Sequence, residues 1–327
     1  MSLDELLSPD GEKKVMKKLA KKGAPVHGMQ SPEFMAFFNQ IADAIARVSV
    51  GTKMAVVGDQ EVGKTHFLTT VPRPLTIIIT DNRFVEIMYA IFRRKVQGAR
   101  NMKQTKQLEA FGEWLLDKEI YVHHACKISE STQTPDYYDS INQFKDVLKV
   151  VAKHVYTGTF AIDNTSDLRL WLNALVDKEA RFVNEKTGQP YQFEWGAANE
   201  IVRGMTETFR EKKMHFVLTA HTKPKYGKGG KLIPGVTNID WNRTTSGDLD
   251  FMMEGRKLYG GIDPHSPDVA KDDVGIYRRA WFVRKSTKWP EYAGLCGEGG
   301  VLYNMTWPTL RTDVLNKTGF DINFIQE

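Results

Sequence analysis

The sequence predicts an α/β protein in which a mainly parallel sheet is flanked by helices. Four short apolar runs alternate with longer segments of helical periodicity. Parallel strands need long crossovers between them, usually helices, and they are apolar throughout because both sheet faces are covered. The runs are therefore predicted to be buried strands, at 53–57, 75–79, 159–163 and 214–221.

Composition supports a folded, intracellular protein. Hydrophobic residues make up 41% of the 327 residues and charged residues 26%, which excludes a largely disordered or fibrous chain. The length suggests about two domains, or one domain with insertions. The net charge of +5 weakly favours an acidic partner such as nucleic acid. Two cysteines, no long apolar run and an acidic N-terminus predict a cytoplasmic location and no membrane partner.

The segment before the first strand is predicted to form an N-terminal arm over residues 1–50. Six lysines lie between Lys13 and Lys22, which indicates a solvated helix or flexible arm, or alternatively a nucleic-acid contact. Ser31 and Pro32 are typical of a helix start. Apolar residues then follow at helical spacing from Phe34, so an amphipathic helix is expected to pack on the main domain or on a neighbouring subunit.

The first apolar run leads directly into the motif G-x-x-x-x-G-K-[ST], the P-loop. Its glycines allow backbone N–H groups to point at phosphate oxygens, its lysine reaches the β- and γ-phosphates, and its threonine binds Mg²⁺. The motif therefore predicts ATP and Mg²⁺ as ligands. The predicted nucleotide-binding residues are Gly58, Asp59, Gln60, Glu61, Val62, Gly63, Lys64, Thr65 and His66.

The segments between and after the strands complete the predicted core. Helices are expected over 83–118, 138–155 and 166–183, a short strand over 120–124, a loop over 184–195, and a further helix from about residue 197. Beyond residue 221, frequent Gly, Lys and Thr with alternating patterns predict an antiparallel extension or small β subdomain. We expect an arm at 1–50, a core at 51–290 and a C-terminal β-rich extension at 291–327.

Acidic residues at two strand ends are candidates for metal binding and catalysis. Asp163 ends an apolar strand, where a P-loop protein needs a second metal-side carboxylate, so Thr65 and Asp163 are the predicted Mg²⁺ ligands. Asn164 follows Asp163, so a catalytic base must come from elsewhere. Asp81, which ends the second strand, is the first candidate, and Glu86 is a weaker one. Alternatively, Asp81 is a turn or N-cap residue.

The end of the fourth strand carries a candidate sensor and a candidate DNA-binding segment. His221 is placed to contact the γ-phosphate and report its state, although it could equally be a hydrogen-bonded strand-end histidine. The segment after it is basic, rich in glycine and predicted to be flexible, which suits it to tracking a phosphate backbone. An ordinary hairpin with solvated lysines is the alternative. Its predicted DNA contacts are Lys223, Lys225, Tyr226, Lys228 and Lys231.

This order of motifs resembles the RecA-like ATPases of phages and archaea, and in particular the Sak-type single-strand annealing group. The sequences that carry the resemblance, over roughly residues 50–290, are GDQEVGKT, TIIITD, TFAIDNTSD and HFVLTAHTKPKY. It implies a RecA-like core, ATP hydrolysis between adjacent subunits and binding of single-stranded DNA. A ring or filament of identical subunits, a single-strand-binding protein as a further partner, and the host cytoplasm for a viral protein are also implied.

The resemblance also implies individual roles. Lys64 and Thr65 hold phosphate and Mg²⁺, Asp163 is the Walker-B acid, and His221 is a γ-phosphate sensor coupled to the DNA loop. Asp81 falls where the family usually has a glutamate base, one methylene longer. RecA-like ATPases often complete a neighbour's site with basic residues late in the core. Within the basic cluster 278–288, Arg284 and Lys285 are the predicted trans-acting fingers, with DNA contact or a solvated strand face as alternatives.

The predicted function is that of an ATPase acting on single-stranded DNA in recombination, annealing or replication. Lys64, Asp81, Asp163 and His221 are the predicted catalytic residues. Three alternatives stay open: a DNA motor subunit such as a helicase, its loader or a packaging ATPase; a non-hydrolysing, nucleotide-switched assembly protein; and a small-molecule kinase. Asp81 and Asn164, which stand where related ATPases carry a glutamate, favour the second, and the basic segment after His221 counts against the third.

Overall fold

The structure is a computed structural model that describes residues 51–210, 212–227, 231–239, 241, 249–259 and 277–322. The predicted arm and amphipathic helix, residues 1–50, lie outside these residues. The boundaries proposed near residues 50 and 290 stay predictions.

The described strands form one large sheet and a small two-stranded one. The order in the large sheet is β11-β10-β9-β1-β7-β6-β2-β3, and β8 pairs with β7 outside this path. The small sheet consists of β4 and β5. The strands are β1 Lys53–Gly58, β2 Leu75–Ile79, β3 Ile120–His124, β4 Lys127–Ile128, β5 Pro135–Asp136, β6 Thr159–Asp163, β7 His215–Tyr226, β8 Leu232–Ile239, β9 Phe251–Tyr259, β10 Tyr277–Ser286 and β11 Leu302–Tyr303.

Helices follow the strands as the periodicity predicts. The predicted helix over 83–118 is two helices joined by a short 3₁₀ turn, because Gly98 adopts a left-handed conformation between them. The helices are α1 Lys64–Leu68, α2 Arg83–Lys95, α3 Gln104–Asp117, α4 Tyr137–His154, α5 Thr165–Glu179, α6 Gly196–Arg210, α7 Tyr292–Leu295 and α8 Trp307–Thr318.

Two hydrophobic clusters cover the two faces of the sheet. Successive strand residues point to opposite faces, so Val56 belongs to one cluster while Ala55 and Val57 belong to the other. The first cluster contains buried residues of α1, α2, α3 and α8, and the second contains those of α4, α5 and α6. This three-layer arrangement confirms the predicted α/β class, a mainly parallel sheet flanked by helices.

The topology brings the predicted site residues to one edge. Strands β1, β7, β6 and β2 are adjacent and parallel, so their carboxyl ends lie side by side. The P-loop follows β1, Asp163 ends β6, Asp81 follows β2, and His221 lies within β7 level with Gly58 of β1.

The region after His221 joins the main sheet instead of forming a separate subdomain. Strand β9 pairs parallel with β1, and β10 pairs antiparallel with β9. Gly255 permits this close packing, because a Cβ there would lie 2.7 Å from the ring of Trp281, which is buried. The C-terminal segment is more helical than predicted: α8 packs against the core through Trp307, whose ring centroid is 6.0 Å from that of Phe67 in α1.

Candidate functional site

The P-loop depends on two glycines with backbone conformations that other residues rarely adopt. Gly58 has φ 149° and Gly63 has φ 99°. A Cβ on Gly58 would also lie 2.3 Å from the carbonyl oxygen of Gly255 in β9. The loop between them turns the chain from the end of β1 into α1, whose first residue is Lys64. Only glycine allows this tight path.

Lys64 is buried beneath the loop, with 6% of its surface exposed. Its Nζ donates to the carbonyl oxygens of Gly58, at 2.9 Å, and Asp59, at 2.6 Å. Burial lowers the pKa of Lys64 to about 8, although the nearby carboxylates of Asp163 and Asp59 oppose that shift. The ammonium therefore lies in a water-poor position where an anionic phosphate would interact with it strongly.

Asp163 has the properties expected of a metal-binding carboxylate. It is 4% exposed; its Oδ1 accepts a hydrogen bond from Thr219 Oγ1, whereas its buried Oδ2 has no partner among the described residues. Burial raises the pKa of Asp163 to about 6, with hydroxyl groups of Thr219 and Thr65 opposing. An unpaired buried carboxylate oxygen is costly unless a cation binds it. Thr65 and Asp163 therefore fit an Mg²⁺ ion.

Asp81 lies at the cavity but is engaged in a local turn. Its Oδ1 accepts a 2.9 Å hydrogen bond from the backbone N of Arg83, and its Oδ2 lies 3.8 Å from the Arg83 guanidinium. This is the turn geometry that the sequence offered as the alternative to a catalytic role. Glu86, one turn further along α2, also lines the cavity. The roles of Asp81 and Glu86 as catalytic bases stay predictions.

His221 contacts the P-loop lysine directly. Its Nδ1 lies 3.3 Å from Lys64 Nζ, and its Nε2 lies 3.5 Å from Asn164 Nδ2. Its backbone N donates to Ser166 Oγ at 2.8 Å. Because an ammonium group can only donate, the first contact requires Nδ1 to accept. A movement of the Lys64 ammonium would therefore change its contact with His221, as the proposed sensor role requires.

These residues surround one cavity of about 440 Å³. It brings together most of the predicted phosphate, metal and catalytic residues, but Gly58, Asp59, Gln60 and Val62 do not line it. The Asp59 side chain accepts a 2.8 Å hydrogen bond from Thr222 Oγ1. Four lining residues were not predicted for the site: Arg83, Ile87, Asn164 and Arg279. Both arginines belong to basic groups that the sequence shows, but nothing local marks them as phosphate neighbours. The lining residues are Glu61, Gly63, Lys64, Thr65, His66, Asp81, Arg83, Glu86, Ile87, Asp163, Asn164, His221 and Arg279.

The predicted flexible DNA-binding segment forms a β-hairpin, the alternative that its glycines and lysines also allow. Strand β7 continues past His221 and pairs antiparallel with β8, with Thr222 opposite Ile239 and Tyr226 opposite Leu232. Lys223, Lys225 and Lys231 are exposed, and Tyr226 is 62% exposed. Lys228 lies outside the described residues. We call the strands from Thr222 to Ile239 the basic hairpin.

The two predicted trans-acting fingers have partners inside the chain. Arg284 Nη1 lies 2.8 Å from Oε2 of Glu254, which is 5% exposed, and Arg284 Nη2 donates to the Thr237 carbonyl oxygen at 2.9 Å. Lys285 Nζ donates to the Leu249 carbonyl oxygen at 2.8 Å. Arg284 thus joins β8, β9 and β10. The trans-acting role stays a prediction.

Among the described residues, no helix is long and apolar enough to cross a membrane. Comparison with curated proteins returns no match. Among solved structures, the chain is similar to a KaiC-like protein from the hyperthermophilic archaeon Pyrococcus horikoshii OT3. The two are 13% identical, with a TM-score of 0.40, over 78% of this chain and 91% of that chain.

The family comparison agrees with the geometry of the site. The model of a family described as AAA domain matches residues 50–233, more than half of the 327 residues. The match includes the P-loop, Asp81, Asp163 and His221, and it ends within the basic hairpin. Membership of the narrower Sak-type group stays a prediction. The chain is a P-loop nucleotide-binding protein and belongs to this AAA domain family.

Proposed function

We propose that the protein binds and hydrolyses ATP with Mg²⁺ and that the bound nucleotide controls its affinity for single-stranded DNA. The observation that carries the proposal is a pair of contacts between the P-loop and the strand leading into the basic hairpin. Lys64 contacts His221 in β7, and Asp59 accepts a hydrogen bond from Thr222, the next residue along the strand. A single strand therefore connects the phosphate site to the exposed lysines.

The cavity supplies the groups that phosphate chemistry requires. Lys64 and the backbone of the P-loop would bind the phosphates, and Thr65 with Asp163 would hold Mg²⁺. The metal would neutralise charge on the β- and γ-phosphates when bound. Asp81 and Glu86 are the carboxylates on the cavity wall that could orient water.

Phosphate binding gives a physical reason for coupling. Lys64 now donates to two P-loop carbonyls and contacts His221. A phosphate would compete for the ammonium, and His221 would then need another partner. Because His221 and Thr222 are consecutive residues of β7, a shift there changes the base of the basic hairpin. Hydrolysis would reverse the change, so DNA affinity would follow the state of the nucleotide.

The basic hairpin is suited to a single strand. Lys223, Lys225 and Lys231 can contact successive phosphates, and Tyr226 is exposed enough to stack on a base. Such contacts are indifferent to sequence, as annealing or recombination requires. A ring or filament of identical subunits would align several hairpins along one strand.

The test is fluorescence anisotropy with a labelled single-stranded oligonucleotide. We expect affinity to differ at least about threefold between a non-hydrolysable ATP analogue and ADP, and substitution of Lys223, Lys225 and Lys231 by Gln to weaken binding and flatten its salt dependence. Lys149→Gln, on a surface pair with Asp146 in α4, is the matched control. Equal affinity of all three proteins would refute the DNA role.

A second candidate, a nucleotide-switched assembly protein that does not hydrolyse ATP, has two observations in its favour. Asp81, the first candidate base, is held by Arg83 through both carboxylate oxygens, and Asn164 stands after Asp163 in place of a glutamate. Analytical ultracentrifugation with ATP and ADP distinguishes the candidates. Assembly that depends on ATP, without phosphate release, supports the second.

A further inference from the structure

Arg279 lies on β10, an antiparallel strand beyond the parallel core. It pairs with Lys257 of β9 in the strand register. Trp281, two residues further along β10, points to the same sheet face and is buried in the first hydrophobic cluster, which also contains Phe67 of α1. This packing fixes the strand, and Arg279 is therefore directed toward the P-loop side of the sheet.

The Arg279 side chain lies directly against the P-loop. A Cβ placed on Gly63 would be 3.3 Å from its Nη1 and 3.5 Å from its Cδ. The same side chain lines the cavity with Lys64 and Thr65. Gly63 thus leaves the space that the guanidinium needs. Arg279 reaches the phosphate-binding loop of its own chain, without a neighbouring subunit.

The neighbouring strand holds the same loop by an ion pair. Lys257 Nζ lies 2.8 Å from Oε2 of Glu61 in the P-loop. Strands β9 and β10 therefore present two cations to the loop, one of which is paired with a carboxylate. No described residue forms a hydrogen bond or ion pair with the Arg279 guanidinium.

This arrangement contrasts with that of Arg284, five residues along the same strand. Arg284 is paired with the buried carboxylate of Glu254 and bonded to Thr237. Of the two arginines, Arg279 is the one with donors available inside the phosphate cavity. The positive charge of Arg279 also contributes, after burial, to lowering the pKa of His66 at the cavity wall.

We propose that Arg279 is a catalytic residue that acts in cis, binding the phosphates of the nucleotide held by the P-loop of its own chain. The proposal rests on the ATP hydrolysis proposed above. In that reaction a water oxygen bonds to the γ-phosphorus, and the bond from that phosphorus to the β–γ bridging oxygen breaks. ADP leaves with the bonding electron pair, and the water proton is released with inorganic phosphate.

The planar guanidinium suits this reaction because it can donate two parallel hydrogen bonds to phosphate oxygens. Charge on the bridging and terminal oxygens grows as the bond breaks, so the stabilisation is larger in the transition state than in the bound substrate. A lysine would supply the charge but not the paired donors. The expected signature is a large effect on kcat and a small effect on nucleotide affinity.

The first experiment compares Arg279→Gln with Arg203→Gln, whose arginine forms an exposed ion pair with Glu207 on α6. We expect Arg279→Gln to lower kcat by about 100-fold or more and to weaken ATP binding by at most about tenfold, with an unchanged melting temperature. Arg279→Lys should recover only part of kcat. An unchanged kcat in Arg279→Gln would overturn the proposal.

The second experiment separates action in cis from action on a neighbour. Arg279→Gln subunits are mixed with Lys64→Ala subunits, and ATP hydrolysis is measured. If Arg279 acts in cis, the mixture is no more active than its two components measured separately. If it acts in trans, an intact P-loop beside an intact arginine restores turnover, and the proposal fails.

A protein that hydrolyses no ATP would refute the proposed ATPase but would still leave phosphate binding to measure. The dissociation constants of a fluorescent ATP analogue are then compared between wild type and Arg279→Gln. Weakening of about threefold to tenfold, absent in Arg203→Gln, supports a phosphate contact. Equal dissociation constants would overturn it.

Discussion

The Asp163 carboxyl should make the nucleotide-free protein less stable at neutral pH than at acidic pH, where this carboxyl is protonated. Burial raises its pKa from 3.8 to about 6, so the folded state binds this proton more tightly than the unfolded state. The associated stability is fully present below the unfolded pKa and is lost as the pH rises through the folded pKa. At neutral pH the loss is about 3 kcal/mol, from about 1.4 kcal/mol for each pKa unit.

The substitution Asp163→Asn removes this ionisation while keeping the shape of the side chain. Any fixed cost of burying the amide is the same at every pH, so the change with pH isolates the carboxylate. Between about pH 4.5 and pH 7.5, the variant should gain about 2 kcal/mol relative to wild type. For a chain of this size, that corresponds to a relative shift in melting temperature of roughly 4–8 °C.

Differential scanning fluorimetry across this pH range measures the shift, with Asp146→Asn, an exposed carboxylate on α4, as the control. Adding Mg²⁺ and ATP should stabilise wild type much more than Asp163→Asn, because the ionised carboxylate would then have a cation. A melting-temperature difference that does not vary with pH would refute the reasoning about burial. Equal stabilisation of both proteins would refute the metal role.

Three further predictions concern neighbouring contacts. Because burial lowers the pKa of Lys64 to about 8, ATP affinity measured by titration calorimetry should fall as the pH rises above that value, and a pH-independent affinity would contradict it. Thr222→Val removes the hydrogen bond to Asp59, so anisotropy should show a smaller difference in DNA affinity between nucleotide states with nearly unchanged ATP binding; an unchanged difference would show that this contact transmits nothing. Arg284→Gln leaves the buried Glu254 with weaker pairing, so urea unfolding should show a loss of about 1–3 kcal/mol, and a fully stable variant would contradict the structural role.

The core of the fold could be predicted because its signals are local. A buried parallel strand is a continuous apolar run, and the P-loop has a fixed spacing between its glycines, lysine and threonine. Parallel strands then place their carboxyl ends at one edge. Lys64, Asp163 and His221 are expected to lie close together because each lies at or near the carboxyl end of such a strand.

Other parts of the site depend on pairings that no local pattern specifies. Arg279 reaches the P-loop only because β9 pairs with β1 and β10 pairs with β9, a register set by Gly255 and Trp281 across the chain. The basic residues around Trp281 look alike in the sequence, and the environments of Arg279 and Arg284 differ only after the strands pair. The sequence at Asp81 is compatible with a local turn and with a free carboxylate, and the turn depends on the position of the Arg83 backbone N–H.

The basic hairpin shows a similar limit. Lysines and glycines after residue 221 favour exposure, and exposure is what the structure shows at Lys223 and Lys225. Their composition alone does not distinguish a flexible loop from two paired strands. In the structure Lys223 and Lys225 lie on β7, the strand that also carries His221, and β8 pairs with this part of β7.

The most direct test of the central claim is steady-state ATP hydrolysis with and without single-stranded DNA, for wild type and for Lys64→Ala. The account predicts turnover that DNA stimulates in wild type and that is abolished in Lys64→Ala, because the cavity that binds phosphate is joined to the basic hairpin through His221 and Thr222. Turnover that is indifferent to DNA, or that survives loss of the Lys64 ammonium, would contradict it.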